Sequence, residues 1–288
     1  MGMVINTNMD SLHIQNAYNK NNIKLQSSMY KVSTGQKINS AGDDPSGMAM
    51  SERIRTRIDS VDRAKSNLQS DTAIVKMADG ALSNMSEIIS SIREKVVAAG
   101  SSGVTSADRQ NLKNDIDTLI TRYDEIVKDA KYGGYSFFDT AAATSYTTTN
   151  SGFRVQYGAD SGDNFELTFA KLDAKTVGLT ASKIGNNISA AVIKTSAIDT
   201  ALNNIDSALN KVLAQQASIG TYEQRLGYLS DNRTNESLAL KELDSTIRDT
   251  DMAQGMSEFM KYNILTQASQ LMLAQAGQNP SMVLRLLE

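Results

Sequence analysis

The sequence is short of several residue types, and each shortage limits what the protein can be. Its 288 residues include no cysteine, no tryptophan, one histidine and two prolines. Without cysteine the chain forms no disulfide, no thiolate metal site and no cysteine nucleophile. The scarcity of proline favours long uninterrupted helices. The formal charge is only −3, so no basic excess predicts binding to nucleic acid.

Long apolar runs are also missing. No stretch approaches the roughly 18 consecutive apolar residues of a membrane span, so we expect no membrane insertion. Residues 1–20 lack the basic and apolar regions of a Sec signal peptide. If the protein leaves the cell, we therefore expect a route that needs no cleaved signal peptide.

Catalytic signatures are equally scarce. There is no phosphate-binding loop, dinucleotide fingerprint or His-Glu-x-x-His helix. The single histidine, His13, lies in a polar segment, and helix capping explains the pair Asp43-Asp44 better than catalysis does. The sequence therefore predicts no enzyme, no catalytic residue, no metal site and no cofactor.

Two long segments carry apolar residues at seven-residue intervals, which is typical of a coiled coil. We expect the segments to pack antiparallel as a helical rod. Between them, alternating apolar residues on either side of a Gly/Asp loop, from Phe153 to Phe169, predict a β-hairpin. The predicted rod core consists of Ile54, Val61, Leu68, Val75, Leu82, Ile89, Val212, Ile219 and Leu226.

A turn-rich stretch, STGQKINSAGDDPSGMAMSERI at residues 33–54, precedes the first rod helix. We expect Gly35 to end a helix in the left-handed conformation, and Gly42 is free to adopt a positive φ in the turn from Asn39 to Asp43. Asp44 then caps the next helix, and Pro45 occupies its first position, where no backbone N–H is needed. The stretch is predicted to connect a thin terminal arm to the rod.

Both terminal segments carry apolar residues that little else in the chain can cover. The N-terminal helix is rich in asparagine and should be marginal alone. We therefore expect an assembly face on each terminal segment. The predicted assembly residues are Leu12, Ile23, Tyr30, Met256, Met260, Ile264 and Leu271.

The predicted fold is mainly α: a long antiparallel coiled-coil-like rod with a small β-hairpin region and helical termini that pair on assembly. Its five parts follow the order of the chain. They are an N-terminal inner helix with its connector at 1–43, the N-terminal half of the helical body at 44–136, a short variable region at 137–195, the C-terminal half of the body at 196–250, and a C-terminal inner helix at 251–288.

The two ends of the chain resemble bacterial flagellins. The resemblance rests on VINTN at 4–8, the stretch at 33–54, DGALSNMSEIISSIREKVVAA at 79–99 and the last residues, from Ile247 to Glu288. It implies a structural subunit that self-polymerises into the extracellular flagellar filament used for motility. The short middle region indicates a core-only form, too small for the protease insert that some relatives carry.

The resemblance also implies partners and a route. Flagellins leave the cell unfolded through the flagellar type III channel, and they meet an export chaperone, a filament cap and hook-junction proteins. Their terminal helices form the inner tube of the filament and are expected to be disordered or frayed in the free subunit. A hook-filament junction protein of the same superfamily is the alternative. Electron microscopy of the purified protein, by showing long filaments or none, distinguishes the two.

Many flagellins carry a patch on the first rod helix that a flagellin-specific Toll-like receptor senses. The corresponding residues are Ser91, Ile92, Arg93, Glu94 and Lys95. Arg93 and Glu94 keep the family pattern and Ile92 replaces valine, but Ser91 stands where the patch has arginine and Lys95 where it has leucine. The resemblance therefore predicts weak activation of that receptor.

Overall fold

The fold is described from a computed structural model, for residues 8–139, 152–180, 184 and 195–287. The chain divides into two compact units. The terminal unit comprises residues 1–59 and 238–288, and the central unit comprises residues 60–237.

Helices dominate both units. The helices are α1 (Met9–Thr34), α2 (Pro45–Ala99), α3 (Ser106–Asp129), α4 (Ala174–Val177), α5 (Thr195–Arg248) and α6 (Met252–Leu287). The strands are β1 (Lys131–Tyr132), β2 (Tyr135–Ser136), β3 (Gly152–Gln156) and β4 (Asn164–Thr168). The predicted fold class, mainly α with a small antiparallel hairpin, is confirmed. Among the described helices, none is both long and apolar enough to cross a bilayer.

The central unit is held by one apolar core between α2, α3 and α5. The antiparallel pairing of α2 with α5 is marked by an ion pair from Arg93 Nε to Asp206 Oδ1 at 3.0 Å and by a hydrogen bond from Gln216 to Asp79. The fully buried residues of the seven-residue series are Val61, Leu68, Val75, Leu82, Ile89, Val212, Ile219 and Leu226.

One predicted core residue, Ile54, is an exception. It lies in the terminal unit and is only half-buried, whereas Ile58, one turn further along α2, is buried. Near Ile54 a polar contact joins α2 to α5: buried Ser51 donates a hydrogen bond of 2.6 Å to Asp244. The prediction that Ile54 belongs to the core is therefore wrong.

The hairpin β3–β4 packs on α5 in the central unit. Phe153 lies opposite Leu167 and Val155 lies opposite Phe165, so the strands alternate between a buried and a more exposed face. The Arg225 guanidinium of α5 lies 4.0 Å from the centre of the Phe165 ring, a cation–π contact.

A second strand pair, β1–β2, escaped prediction from the sequence. Each strand has only two residues, which gives no alternating pattern to detect. Gly133 and Gly134 form the turn between them, both with positive φ. The pair directly follows α3, which ends at Asp129.

Candidate functional site

The terminal helices α1 and α6 pack against each other antiparallel within the terminal unit. Near the start of α1, Asn8 donates a hydrogen bond of 2.9 Å to the carbonyl oxygen of Ala276. Farther along, the Asn21 amide donates to Ser269 Oγ at 3.2 Å. The Lys24 ammonium lies 5.5 Å from the centre of the Tyr262 ring. These contacts fix the register of the pair.

The most deeply buried residues of the seam between α1 and α6 are small or polar. They are Ser28, Gly255, Thr266 and Ala276. A Cβ atom at Gly255 would lie 3.2 Å from a Val32 methyl group, so the helices approach closely at this point. Because such residues bring little apolar surface, their burial stabilises the pair less than burial of leucine residues would.

Several large apolar side chains of both helices point away from the seam, whereas Ile14, Leu25, Val32, Phe259 and Leu273 are partly buried. On α1, Leu12, Ile23 and Tyr30 are separated by close to whole helical turns and occupy one face. We call these residues the α1 outer stripe, and we call Met256, Met260, Ile264 and Leu271 the α6 outer stripe. Exposed fractions run from 39% at Met256 to 73% at Leu271. All the predicted assembly residues therefore lie on accessible surface.

The two connectors of the terminal unit hydrogen-bond to each other. Gly35 ends α1 with φ 71°, and its carbonyl oxygen accepts a hydrogen bond of 2.8 Å from Thr250 N–H. The N–H of Lys37 donates to the carbonyl oxygen of Arg248, also at 2.8 Å. The Arg248 side chain, 11% exposed, then donates to Glu52 on α2. The two connectors are therefore held together by backbone hydrogen bonds.

Asp44 caps α2 as the sequence predicts, and Pro45 begins the helix. The Asp44 Oδ1 atom accepts hydrogen bonds from the backbone N–H of Gly47 at 3.0 Å and of Ser46 at 3.1 Å. These donors, above all Gly47, lower the pKa of the Asp44 carboxyl below its usual value.

Gly42 does not use the positive φ that is open to a glycine. Positive φ occurs at Gly35 in this stretch, not at Gly42. The turn closes instead by a bond of 3.0 Å from Asp43 N–H to the Ser40 carbonyl. The Asp43 carboxylate also accepts from the backbone N–H groups of Asn39 and Ser40, so no left-handed residue is required.

Sequence reasoning missed the role of Gly47. A Cβ atom there would lie 2.5 Å from Asp44 Oδ2 and 2.8 Å from Ile38 Cδ1. Ile38 is the buried apolar residue of the connector, with 5% exposure. The absence of a side chain at Gly47 therefore lets the cap and the apolar contact coexist. A glycine two residues after a proline at a helix start was the available signal.

The five predicted receptor-patch residues do not share one surface. Ile92 is fully buried in the core of the central unit, because it lies on the face of α2 that packs inward, so its assignment to a surface patch is wrong. Arg93 and Glu94 are exposed, and Ser91 and Lys95 are partly so. The Lys95 ammonium pairs with Asp115 of α3 at 2.7 Å.

The fold and these surfaces define a class of protein: a helical subunit whose terminal helices expose apolar stripes. The Bacterial flagellin N-terminal helical region matches residues 5–143, and the Bacterial flagellin C-terminal helical region matches residues 202–287. The chain therefore belongs to the bacterial flagellin family. As a member of it, the chain is a structural subunit of the flagellar filament, which the family forms outside the cell.

Individual relatives agree over the full length. The flagellin of Bacillus subtilis (strain 168) is 35% identical, with 99% of this chain and 100% of that protein covered. The flagellin of Halalkalibacterium halodurans is 33% identical, with coverage of 99% and 100%. The crystal structure of Bacillus cereus FlgL has a TM-score of 0.54 at 11% identity, covering 67% of this chain and 99% of that one, and supports the fold alone.

Proposed function

We propose that the α1 and α6 outer stripes are the surfaces through which copies of this chain pack in the filament. The observation that carries the proposal is that both terminal helices keep a row of large apolar side chains exposed along one face. Apolar surface gains about 25 cal/mol for each Å² removed from water, so burial of these stripes between copies favours assembly.

The position of the stripes also supports an open polymer. They belong to two different helices, so each stripe can pack against a different surface of a neighbouring copy. A contact between unlike surfaces propagates from copy to copy rather than closing a dimer. Contacts of this kind build helical filaments.

The same arrangement suggests how folding is linked to assembly and export. The most deeply buried positions of the α1–α6 seam are small or polar, and α1 is rich in poor helix formers such as asparagine. The terminal helices are therefore marginal in the free subunit and become stable when neighbours cover the stripes. A chain with marginal ends suits passage, unfolded, through the flagellar type III channel.

Further partners belong to the same proposal. By kinship with flagellins, the chain meets an export chaperone, a filament cap and hook-junction proteins, and it acts as a building block rather than an enzyme. It has no role with nucleic acid and does not insert into membranes.

Electron microscopy and sedimentation of the purified full chain test the assembly proposal. Under assembly conditions the unmodified chain should form long filaments, whereas a hook-filament junction protein would form none. Ile264→Ser, on the α6 outer stripe, should strongly reduce sedimentable polymer. Tyr132→Ser, at a position of 44% exposure in the central unit, is the matched control and should polymerise normally. Normal filaments from Ile264→Ser would contradict the proposal.

We further propose that the flagellin-specific Toll-like receptor responds weakly to this chain. Arg93 and Lys95 are held in intramolecular ion pairs with Asp206 and Asp115. Ser91 offers no cation, and the charged Lys95 replaces the apolar leucine of the family patch. Desolvation of that charge at an interface would be costly.

A receptor reporter assay with monomer tests this second proposal. The variant Ser91→Arg/Lys95→Leu should signal more strongly than the unmodified chain, because it restores a long cation and an apolar contact. Lys65→Leu, a change at another lysine of α2, should leave the signal unchanged. Full-strength signalling by the unmodified chain would contradict the proposal.

A further inference from the structure

We propose that the α6 outer stripe is an oxidation-sensitive site: methionine sulfoxide at Met256 and Met260 blocks polymerisation until it is reduced. The inference rests on the assembly role proposed above. The substrate class is the two-electron oxidants, such as hypochlorous acid and hydrogen peroxide.

The composition directs such oxidants to methionine. Cysteine is the side chain that usually reacts first, and the chain has none, nor any tryptophan. It has 13 methionines instead. Two-electron oxidants therefore find their main targets in the exposed thioethers.

Three of the exposed methionines lie together along one side of α6, and other exposed methionines are Met9, Met29, Met50, Met77 and Met272. Met252, Met256 and Met260 follow one another at four-residue intervals along the exposed side of α6, and Ile264 and Leu271 continue the stripe. Met260 is 58% exposed, so its sulfur is accessible in the free subunit. Met85, in the core of the central unit, is 0% exposed and is shielded.

Oxidation of the methionine sulfur needs no reagent other than the oxidant. A sulfur lone pair attacks the oxygen of hypochlorous acid, an S–O bond forms and the O–Cl bond breaks. The sulfur is oxidised by two electrons, the chlorine leaves as chloride, and the proton of the hypochlorous acid passes to water. The product is a polar, chiral sulfoxide that methionine sulfoxide reductases convert back to the thioether.

The sulfoxide disfavours assembly because polymerisation would bury it. A polar group moved from water into an apolar contact without a hydrogen-bond partner is destabilising. The expected effect is a rise of roughly tenfold in the critical concentration for each buried sulfoxide, which corresponds to about 1.4 kcal/mol. In the finished filament the same sulfur atoms are covered, so the sensitivity belongs to the free subunit.

The test treats the full chain with limiting hypochlorous acid, locates sulfoxides by peptide mass spectrometry and measures the critical concentration by sedimentation. Oxidised wild type should assemble poorly, and methionine sulfoxide reductases should restore assembly. Met256→Leu/Met260→Leu, which preserves apolar volume, should assemble after the same treatment. Met77→Leu, at an exposed methionine of the central unit, should remain as sensitive as wild type.

Several results would overturn the inference. Wild type that assembles normally with sulfoxide at both positions contradicts it, and so does a Met256→Leu/Met260→Leu variant that is inactivated as fully as wild type. If that variant fails to assemble even without oxidant, oxidised wild type provides the test. Reductases that restore its assembly support the inference, and failure to restore it contradicts the inference. Oxidation of Met85 as fast as Met260 contradicts the accessibility argument. Untreated wild type that never polymerises refutes the proposed function and, with it, this inference.

Discussion

The central rod and the terminal helix pair use the same helical periodicity in opposite ways. In the central unit the regularly spaced large residues, such as Leu82 and Val212, face inward and are fully buried. In the terminal pair the seam is lined by Ser28 and Thr266, while Ile23 and Ile264 face solvent. One region completes its core within the chain, and the other keeps large apolar side chains exposed.

The difference shows that a helical apolar stripe does not by itself identify a core. A stripe is buried inside the chain where a second stripe of similar size lies opposite, as α5 does for α2. On α1 and α6, the stripes lie on exposed faces, and no second stripe among the described residues lies opposite them. Stability should therefore reside mainly in the central unit and assembly in the terminal unit.

The largest expected effect comes from removing a terminal helix. A chain lacking residues 1–35, or one lacking residues 253–288, should remain soluble and helical, because the central core needs neither segment. It should form no filaments. Circular dichroism checks the fold, and electron microscopy checks assembly beside the intact chain. Filaments from either truncated chain would show that assembly does not need both terminal helices.

A substitution in the central core should affect stability strongly. Leu82→Ala removes a side chain with 0% exposure and should lower the free energy of unfolding by about 3 kcal/mol. The matched change on the outer stripe, Ile264→Ala, should alter it by less than about 0.5 kcal/mol because that side chain is exposed. Denaturant titration measures both. Equal effects would show that the two regions do not differ as described.

A smaller effect is expected at the connector. Gly47→Ala places a methyl group against Ile38 and the Asp44 carboxylate, and such crowding typically costs about 1 to 3 kcal/mol. The loss should be local to the terminal unit, so hydrogen exchange should accelerate around residues 38–48 and stay unchanged near Leu82. Gly80→Ala, where an added Cβ meets no atom within 4 Å, is the control.

The smallest effect concerns Asp71 on α2. Burial raises the pKa of its carboxyl from 3.8 to about 6, so the folded state binds a proton more tightly than the unfolded state does. Stability from this group is therefore highest below pH 3.8 and declines as pH rises toward 6. Asp71→Asn mimics the protonated form. Because the carboxyl is only partly buried, the free energy of unfolding of the variant should exceed that of wild type by about 1 kcal/mol at pH 7. Near pH 3.5 the two should be equal.

Most of the helical framework could be predicted because its signals are local. Helix α2 begins at Pro45 and is capped by Asp44, as the sequence predicts, and the seven-residue series lies within it. The bonds between connectors could not be predicted, since Lys37 and Arg248 are far apart in the chain and nothing local marks them as partners. Ile92 shows a further limit: a stretch matched to a family patch includes residues that the helix turns inward.

The central claim is that polymerisation covers the outer stripes. Because the chain has no cysteine, a single Ile264→Cys substitution provides a unique thiol at this position. Its reaction rate with a maleimide reagent should fall at least roughly tenfold when the subunit enters the filament, since burial excludes the reagent. Tyr132→Cys, on the central unit, should react at similar rates in both states. An unchanged rate at Ile264→Cys in well-formed filaments would contradict the account.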